Sequence, residues 1–478
     1  MVGATATLRE ELIRIVGPAH VLEGDGARDY AGDATFMRSQ PQLVALPADT
    51  DEVAAVVAAC AGAATPVVAR GWGTSLVGGS VPLGDAVVLS LERLDRLEIA
   101  PDDAVAIAGA GVITARIDQL ANQHGLMYPP DPASVEMCSI GGNVACNSGG
   151  MRCVKYGVTA EYVIGLTVVL ADGQVLTLGG RTRKRSSGYR LMQLFIGSEG
   201  TLGIVTEVIL KLIPLPRHQA TALVAFGTLE AAAAAVSRVL GAGMLPSALE
   251  LLDGNCIDLV RDLLPAGFAP GAGALLLVEQ DGSDPEFVQM ELLQLVEMMQ
   301  GSDNRVAQSG GERERIWQAR RAVPKLLSSM AAARFPEDVA VPISKVPEMA
   351  RRCQVVSDES GIKIYVYGHA GDGNLHPSLM FSPGQRDQVG AAARRIFMAA
   401  LDLGGTISAE HGLGALKRDH ALLEHGAAAI AKMEEIKRIF DPRGLLNPHK
   451  VLPESTPDDR FLDQMPGWMP TAAPAAEA

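Results

Sequence analysis

The stretch ARGWGTSLVGG, residues 69–79, is a glycine-rich loop that follows a short apolar strand predicted at PVVAR, residues 66–70. Glycines at positions 71 and 73 let successive backbone N–H groups point into one concavity, which can cradle phosphate oxygens without a clashing Cβ. The pattern is not the Rossmann fingerprint, because Leu76 stands where the third glycine would be. On its own, the loop is equally well interpreted as a structural turn.

A second glycine-rich loop, SIGGNVACNSGG at residues 139–150, follows PPDP at residues 129–132. Both loops lie in a region of alternating predicted strands and helices, including the strand LVALP at 43–47 and a helix that begins at the capping pair Asp49 and Glu52. Neither loop contains the Walker-type Gly-Lys-Ser/Thr sequence. Two such loops on one α/β domain therefore predict a dinucleotide held in an extended groove.

The order of predicted elements divides the chain into parts. Residues 1–40 are expected to be helical and then irregular, and residues 41–216 to form the first domain, with a hairpin turn at 171–173. Residues 217–453 alternate strands with helices, which suggests a sheet covered on one face by helices. The end of the chain, residues 454–478, is rich in Pro and Ala and is expected to be a disordered tail.

Composition excludes several classes of protein. A net charge of -14 argues against a nucleic-acid binder, which would normally present a basic face. The chain has no apolar run long enough for a membrane span and no signal-peptide pattern at its N-terminus. Its six cysteines form no CxxC pair. A cytoplasmic protein is the simplest interpretation, with peripheral attachment to a membrane through a partner left open.

The second half of the chain concentrates histidines in KIYVYGHAGDGNLHPSLMF, residues 363–381. Asp372-Gly373 is a strong signal for a two-residue hairpin turn, and this turn would place His369 directly opposite His376. Opposed residues in a hairpin share a face, with Cβ atoms about 5 Å apart. Two imidazoles in that arrangement can share one metal ion.

A further segment, GGTISAEHGLG at residues 404–414, places Glu410 beside His411 in a glycine-flanked turn. Two histidines and one carboxylate leave open positions on a divalent ion for a substrate. Taken singly, each histidine is more simply a satisfied core or surface residue. Taken together with the Glu-His pair, the histidines favour a functional site.

Four segments in series resemble the FAD-binding domain of the vanillyl-alcohol oxidase/p-cresol methylhydroxylase (PCMH) superfamily: ARGWGTSLVGG, PPDPASVEMCSIGGNVACNSGG, KYGVTAEYV and FIGSEGTLGIVTEV. The resemblance implies an α+β fold, in which a two-lobed PCMH-type FAD-binding domain precedes an FAD-linked oxidase C-terminal domain with an antiparallel sheet covered by helices. Since the loops contain no histidine, the FAD is expected to be non-covalent. The implied FAD-binding residues are Arg70, Gly71, Gly73, Thr74, Ser75, Pro130, Ser134, Gly141, Gly142, Asn143, Gly157, Ile204 and Asn447.

GHAGDGNLH, EHGLG and the later LLNPHKVLP resemble motifs of the FAD-linked 2-hydroxy-acid dehydrogenases. That group includes D-lactate dehydrogenases, the FAD subunit of glycolate oxidase and D-2-hydroxyglutarate dehydrogenases. The resemblance implies that His369, His376 and Glu410 hold a divalent metal, zinc or manganese, and that His411 is the general base. Asn374 would lie near the flavin or the substrate.

The same resemblance makes Arg320 the anchor of the substrate carboxylate, because a guanidinium pairs bidentately with a carboxylate. The alternative is a solvated arginine on a charged helix. In hydroxyglutarate dehydrogenases a lysine shortly after this helix binds a second carboxylate, whereas FPEDV at residues 335–339 contains no basic residue. This favours a monocarboxylate such as lactate or glycolate. His449 departs from the family pattern, in which glycine is usual before the lysine.

These features together predict an FAD-dependent dehydrogenase that oxidises a small D-2-hydroxy acid to the 2-oxo acid, with a metal assisting and hydride passing to flavin N5. Electrons would then pass to a quinone, a cytochrome or an electron-transfer flavoprotein. The alternatives are a D-2-hydroxyglutarate dehydrogenase, a metal-free oxidase or transferase on the same fold, and a non-catalytic FAD subunit of a larger complex. The sequence is compatible with a homodimer and with an assembly that includes partner subunits.

Overall fold

Three β-sheets and a two-stranded ribbon organise the computed structural model, which describes residues 2–330, 333–457 and 461–464. The strands are β1 Val21–Leu22, β2 Leu43–Ala45, β3 Val67–Arg70, β4 Val87–Ser90, β5 Leu97–Ala100, β6 Val105–Gly109, β7 Leu126–Met127, β8 Val163–Val169, β9 Val175–Gly179, β10 Ile204–Lys211, β11 Ile213–Pro214, β12 His218–Phe226, β13 Ala248–Asp253, β14 Ala274–Gly282, β15 Asp303–Val306, β16 Ala333–Pro336, β17 Val339–Ala340, β18 Lys363–His369 and β19 Asn374–Phe381. The α-helices are α1 Val2–Val16, α2 Thr50–Gly62, α3 Thr114–Asn122, α4 Ile140–Cys146, α5 Cys153–Tyr156, α6 Met192–Phe195, α7 Leu229–Gly241, α8 Gly254–Leu259, α9 Pro285–Met299, α10 Gly310–Ser329, α11 Val346–Ser360, α12 Arg386–Asp402 and α13 Ala421–Phe440.

The first sheet has the strand order β1-β2-β4-β3, in which β2 and β3 run parallel to β4. Helix α2 packs on it together with α1, and Leu12 and Val56 are fully buried in their common core. The predicted N-cap is confirmed, because Asp49 accepts the N–H of Glu52 at 2.9 Å. The Glu52 carboxylate reaches one residue beyond the cap and accepts the N–H of Ala48 at 2.7 Å.

The second sheet is antiparallel, in the order β5-β6-β10-β8-β9. Its β8–β9 hairpin has the predicted turn, since Asp172 accepts the N–H of Gln174 at 2.9 Å and Gly173 has a φ of 86°. Helix α4 packs against β10, the central strand. This contact places the second glycine-rich loop over the middle of the sheet.

The third sheet is the largest, with eight strands in the described part of the chain and the order β15-β12-β14-β13-β18-β19-β16, β17 pairing with β19. All of its neighbouring strands are antiparallel. Both of its faces carry helices, not one face as predicted. On β12, Val224 packs in one core with α7, α9, α11 and α12, whereas Leu223 packs in another with α8 and α10, because successive side chains point to opposite faces.

The C-terminal segment enters the core of the molecule at one point. Phe461 and Leu462, which the expected disordered tail included, are 3% and 1% exposed. The Phe461 ring lies 4.6 Å from the His420 ring and 6.2 Å from the Phe335 ring. An aromatic and an aliphatic side chain buried together order this short stretch. Residues 458–460 and 465–478 lie outside the described residues.

None of the helices described here combines the length and the apolar character that crossing a bilayer requires.

Candidate active site

The two histidines of the β18–β19 hairpin lie on one face of the large sheet, although not in the predicted pairing. His369 pairs with Asn374, and His376 pairs with Tyr367. The prediction that His369 stands directly opposite His376 is therefore wrong, because the loop has four residues, 370–373, instead of two. The observed register differs from the predicted one by two residues. His369 and His376 therefore still point to the same face of the sheet, since side chains along a strand alternate with a period of two. The two imidazole rings are diagonal neighbours, 5.0 Å apart.

Contacts outside the hairpin lengthen its loop. The N–H of Gly371 donates to the carbonyl of Leu249 at 3.2 Å, which draws the loop toward β13. Gly373 has a φ of 86°, and a Cβ there would lie 2.2 Å from the carbonyl oxygen of Val341. These are tertiary contacts, so a rule for an isolated hairpin cannot anticipate them.

Glu410 is the point on which the candidate ligands converge. Its Oε1 lies 3.4 Å from Nε2 of both His369 and His376 and 3.9 Å from Nε2 of His411. Its Oε2 accepts the N–H of Gly149 at 3.1 Å, so the second glycine-rich loop touches the same carboxylate. The structure thus brings the three predicted metal ligands together at the contact between the glycine-rich half and the large sheet.

Asp338 belongs to this site and was missed in the sequence. Its Oδ2 accepts the N–H groups of Ala409, Glu410 and His411 at 2.9, 2.9 and 2.8 Å and the Ser408 hydroxyl at 3.1 Å. One buried carboxylate therefore shapes the whole Glu-His turn. The available signal was a pair of acidic residues inside the apolar run FPEDVAVP, because buried carboxylates in such a run need partners.

Asp338 also faces two of the imidazoles. Its Oδ1 lies 3.7 Å from Nδ1 of His376, and its Oδ2 lies 3.9 Å from Nδ1 of His411. The His376 and His411 rings stack with centroids 5.2 Å apart. Four side chains thus form a compact group of possible metal donors, with one ligand atom of each within 4.8 Å of the others: Asp338, His376, Glu410 and His411.

Arg320 is buried, at 3% exposed, which excludes the solvated arginine considered above. Its Nε donates to Oε2 of Glu250 at 2.7 Å, and its Nη2 forms an ion pair with the same oxygen at 2.6 Å. The other Glu250 oxygen, Oε1, lies 2.7 Å from Nδ1 of His369. This series of bonds holds the imidazole with Nε2 toward Glu410, an arrangement that is common behind metal-binding histidines. Sequence reasoning missed Glu250, whose signal was a charge inside the apolar strand SALELLD.

Burial and neighbouring charges shift the pKa values of His369 and His376 in opposite directions. Burial by itself would lower the pKa of His369, but Glu250 and then Glu410 raise that pKa well above its usual range. Burial, reinforced by the charges of His369 and His411, holds the pKa of His376 well below its usual range. For Asp338 burial acts upward, yet His411 and Lys417 hold its pKa well below the ordinary value. The pocket therefore combines a neutral imidazole at His376, which can act as a ligand, with an ionised carboxylate at Asp338, whereas His369 has to lose its proton before its Nε2 can bind a cation.

The two glycine-rich loops meet each other. Ser139 caps α4 by accepting the N–H of Gly142 at 3.3 Å. A Cβ on Gly71 would lie 2.2 Å from the Ser139 hydroxyl oxygen, so glycine is required where the loops touch. The Trp72 indole N–H donates to the carbonyl of Gly111 at 2.9 Å and fixes the first loop against the second sheet.

The residues predicted to bind FAD lie at the ends of strands, in loops and in α4, as follows: Arg70, Gly71, Gly73, Thr74 and Ser75 at and after the end of β3; Pro130 and Ser134 before α4; Gly141, Gly142 and Asn143 in α4; Gly157 after α5; Ile204 at the start of β10; Asn447 after α13. Two of these side chains are directed elsewhere. Arg70 donates to the carbonyls of Gly32 and Asp29 at 2.5 and 3.3 Å, and Ile204 is 1% exposed in the apolar core. Any contact of Ile204 with a cofactor would involve its backbone.

Asn447 joins the glycine-rich half to the rest of the site. Its Nδ2 donates to the carbonyls of Gly79 and Glu199 at 3.0 and 2.7 Å. The Glu199 carboxylate in turn accepts the N–H groups of Leu413 and Gly414 at 2.7 and 2.9 Å. Burial raises the pKa of Glu199 to about 7, against the effect of those two donors. These hydrogen bonds connect four segments that are distant from one another in sequence.

Two buried oxygens, Oδ1 of Asn447 at this junction and Oδ1 of Asn374 opposite His369, have no hydrogen-bond partner in the described part of the chain. Buried polar atoms are normally satisfied. An unused acceptor on Asn447, which contacts Gly79 of the first glycine-rich loop, is what a polar cofactor would satisfy, so the residues present fit a bound FAD.

His449 lies outside the site. Its side chain is 44% exposed, and its Nδ1 lies 2.8 Å from a carboxylate oxygen of Glu454. Its φ of 65° is in the left-handed region that favours glycine, which accounts for the glycine usual at this position.

Comparisons with known proteins give matches to both halves of the chain. The family described as "FAD linked oxidases, C-terminal domain" matches residues 215–451, and the one described as "FAD binding domain" matches residues 41–179. The glycolate oxidase subunit GlcD of Bacillus subtilis is 38% identical over 94% of this chain and 97% of its own length. A D-lactate dehydrogenase of Archaeoglobus fulgidus is 35% identical over 86% of this chain and 91% of its own.

The solved structure of p-cresol methylhydroxylase with substrate bound superposes with a TM-score of 0.79 at 16% identity, over 95% of this chain and 98% of that one. At this identity the likeness concerns the fold alone, and it confirms the predicted α+β architecture. The relatives and the family models confirm the predicted resemblance and the FAD-dependent oxidoreductase class.

Proposed function

This chain belongs to the family of FAD-linked oxidases, and from that premise we propose that it oxidises a small D-2-hydroxy acid to the corresponding 2-oxo acid. The observation that carries the proposal is the convergence of three imidazole Nε2 atoms on one oxygen of Glu410, at 3.4, 3.4 and 3.9 Å. Relatives named glycolate oxidase subunit and D-lactate dehydrogenase support this substrate class. D-Lactate and glycolate are the first substrates to test.

We propose His369, His376 and Glu410 as the ligands of a divalent metal, zinc or manganese. The donor set fits such an ion, because two imidazoles and a carboxylate converge, and Glu250 bonds the far nitrogen of His369 at 2.7 Å. When bound, the ion supplies a Lewis acid that lowers the pKa of the substrate's hydroxyl. Asp338 and His411 lie close enough to be an alternative pair of donors.

His411 is our candidate for the general base. Its Nδ1 lies 3.9 Å from Oδ2 of Asp338, so that carboxylate can stabilise the imidazolium formed when Nε2 takes the hydroxyl proton. Arg320 is the proposed anchor of the C1 carboxylate. Its Nη1 would have to do this, because Nε and Nη2 are held by Glu250. Asn374, with its unpartnered Oδ1, is proposed to contact substrate or flavin.

FAD, when bound, supplies the hydride acceptor. We propose that it is held non-covalently by the loops after β3 and around α4, and that Asn447 completes the site. The proposed domains are a helical segment over residues 1–40, an FAD-binding domain over 41–216 and a substrate domain over 217–453.

The reduced enzyme is proposed to pass electrons to a quinone, a cytochrome or an electron-transfer flavoprotein. A homodimer or partner subunits would fit, since the Bacillus subtilis relative is named as a subunit. The proposed location is the cytoplasm, with peripheral attachment to a membrane as its variant. A non-catalytic FAD subunit is the alternative, and it leaves the complete set of Glu410 and the three histidines without a use.

An anaerobic screen of D- and L-2-hydroxy acids tests the function. We expect D-lactate or glycolate to bleach the flavin absorbance of the purified protein, and exhaustive chelation to abolish the bleaching until zinc or manganese is returned. Bleaching that survives chelation would support a metal-free oxidase. A flavin that no 2-hydroxy acid reduces would support the non-catalytic subunit.

Asp338→Asn is expected to weaken binding of the metal about 10- to 100-fold, as loss of a partner behind metal ligands commonly does. The reason is that Asp338 holds the N–H groups of Ala409, Glu410 and His411 and faces Nδ1 of His376. Metal content after dialysis against graded zinc concentrations measures the effect without turnover. Asp358→Asn on the exposed side of α11 is the matched control. Unchanged zinc affinity in Asp338→Asn would remove this carboxylate from the site.

A further inference from the structure

The loop between β9 and α6 is basic in an otherwise acidic protein. Its ten residues, RTRKRSSGYR at 181–190, include five basic side chains and no acidic one. The acidic residues nearest in sequence are Asp172 on one side and Glu199 on the other, whereas the whole chain has a net charge of -14. A local positive patch on such a molecule points to an anionic partner.

Every residue of this basic loop is exposed, and none of them lies in a helix or a strand. One contact ties the loop to the body of the protein. The Arg183 guanidinium donates to two backbone carbonyls, at the start of β6 and at the end of β10, at 3.3 and 3.1 Å. The loop is therefore held at the end of the second sheet with its other side chains toward the outside.

One of the five cations is neutralised within the protein. Arg181 lies 3.6 Å from a Glu98 oxygen and 3.5 Å from an Asp103 oxygen. Among the residues that the structure describes, no carboxylate forms an ion pair with the other four: Arg183, Lys184, Arg185 and Arg190. Four positive charges within eight residues are thus available to a partner.

Apolar side chains are exposed beside these charges. Tyr189 is 96% exposed, and Leu191 and Leu194, which follow it at the start of α6, are 39% and 36% exposed. Tyrosine is favoured at the boundary of a bilayer, because its ring enters the headgroup layer while its hydroxyl stays hydrated. Anionic groups above an apolar layer suit both kinds of side chain, whereas an acidic protein surface would suit only the cations.

The negative charge on the rest of the molecule does not prevent this contact. Exposed charges separated by more than the Debye length, about 10 Å at 0.1 M salt, are largely screened from each other. The charges that contact the surface therefore decide the binding. Each Lys or Arg beside an anionic bilayer strengthens binding about fivefold, so four of them strengthen it about 600-fold.

We infer that the basic loop, with Tyr189 at its end, binds the anionic lipid headgroups of a bilayer. This contact gives the peripheral form of the proposed location a defined surface, and it depends on no part of the catalytic proposal. It also lies near the site, because only nine residues separate Arg190 from Glu199, which limits their distance to about 30 Å. Glu199 itself is bonded to α4, through its N–H to the carbonyl of Ala145 at 2.8 Å.

Sedimentation of the FAD-loaded protein with lipid vesicles tests the inference. We expect it to bind vesicles of phosphatidylcholine that contain phosphatidylglycerol, to ignore vesicles of phosphatidylcholine alone, and to dissociate as salt is raised. A variant that loses three cations should bind about 100-fold more weakly; it combines Lys184→Gln, Arg185→Gln and Arg190→Gln. The matched control removes the same charge from exposed positions elsewhere and should bind more strongly than this variant: it combines Arg14→Gln, Lys432→Gln and Arg438→Gln.

A fluorescent substitution reports whether the loop itself touches lipid. Tyr189→Trp should shift to shorter emission wavelengths when anionic vesicles are added, measured as the difference from the wild type. An unshifted emission would overturn the lipid contact, and if polyglutamate bound the loop in its place, the partner would be an acidic protein. Equal loss of vesicle binding in the triple variant and its control would also overturn the inference. Because binding needs no turnover, a flavin that no 2-hydroxy acid reduces would refute the proposed function and leave this surface standing.

Discussion

Glu250→Ala is expected to lower the free energy of unfolding by about 3–5 kcal/mol, the cost of removing one partner from a buried ion pair. Glu250 is 0% exposed and Arg320 is 3% exposed, so water cannot replace the lost carboxylate. The same change leaves Nδ1 of His369 without its 2.7 Å partner. Urea unfolding of the holoprotein, followed by circular dichroism, measures the loss.

Two further variants identify the origin of that loss. Glu314→Ala removes the partner of Arg321 on the exposed face of α10, the helix that also carries Arg320. This change should lower the free energy of unfolding by less than about 1 kcal/mol, because exposed ion pairs contribute little. Glu250→Gln keeps the shape of the side chain and removes its charge. If Glu250→Ala were no more harmful than Glu314→Ala, the buried pair would have no structural importance. Zinc content should fall with Glu250→Ala, since His369 loses the group that orients it.

His411→Gln is expected to slow reduction of the flavin by a 2-hydroxy acid about 10²- to 10⁴-fold, which is the usual contribution of a general base. Glutamine retains polarity and approximate size but cannot accept the hydroxyl proton at neutral pH. FAD content should be unchanged, because none of the contacts of His411 with the described residues involves the two glycine-rich loops. Stopped-flow absorbance of the flavin under anaerobic conditions gives the rate.

The comparison for this variant is His425→Gln, which changes an exposed histidine of α13 and should leave the rate unaltered. A His411→Gln enzyme that reduces its flavin at the wild-type rate would show that another group takes the proton. Asp338 would then be the next candidate, since it lies against the same imidazoles.

Much of the architecture follows from local sequence. The glycine-rich loops, the N-cap at Asp49 and the turn at Gly173 depend on backbone preferences within a few residues, and the structure confirms the cap and the turn. The shared face of His369 and His376 also follows locally, because strand periodicity survives an error of two in register. The pairing of His369 with Asn374 did not follow from local sequence, since backbone contacts with distant residues lengthen the hairpin loop.

The residues that support the site could not be anticipated in the same way. Glu250 is 119 positions from His369, and Glu410 is 261 positions from Gly149. An isolated acidic residue in an apolar strand indicates only that some partner exists. Which partner it meets depends on the order of strands in the sheet, and here β13 lies next to β18.

The sequence by itself determined the two glycine-rich loops, the family and the chemical type of the proposed ligands His369, His376 and Glu410, because residue type and short spacing are local properties. Only the tertiary structure decided which charges are balanced. It paired Arg320 with Glu250 and set Asp338 beneath the Glu410-His411 turn. The physical reason is that electrostatic compensation in a buried site depends on distances of a few ångströms between segments that lie far apart along the chain.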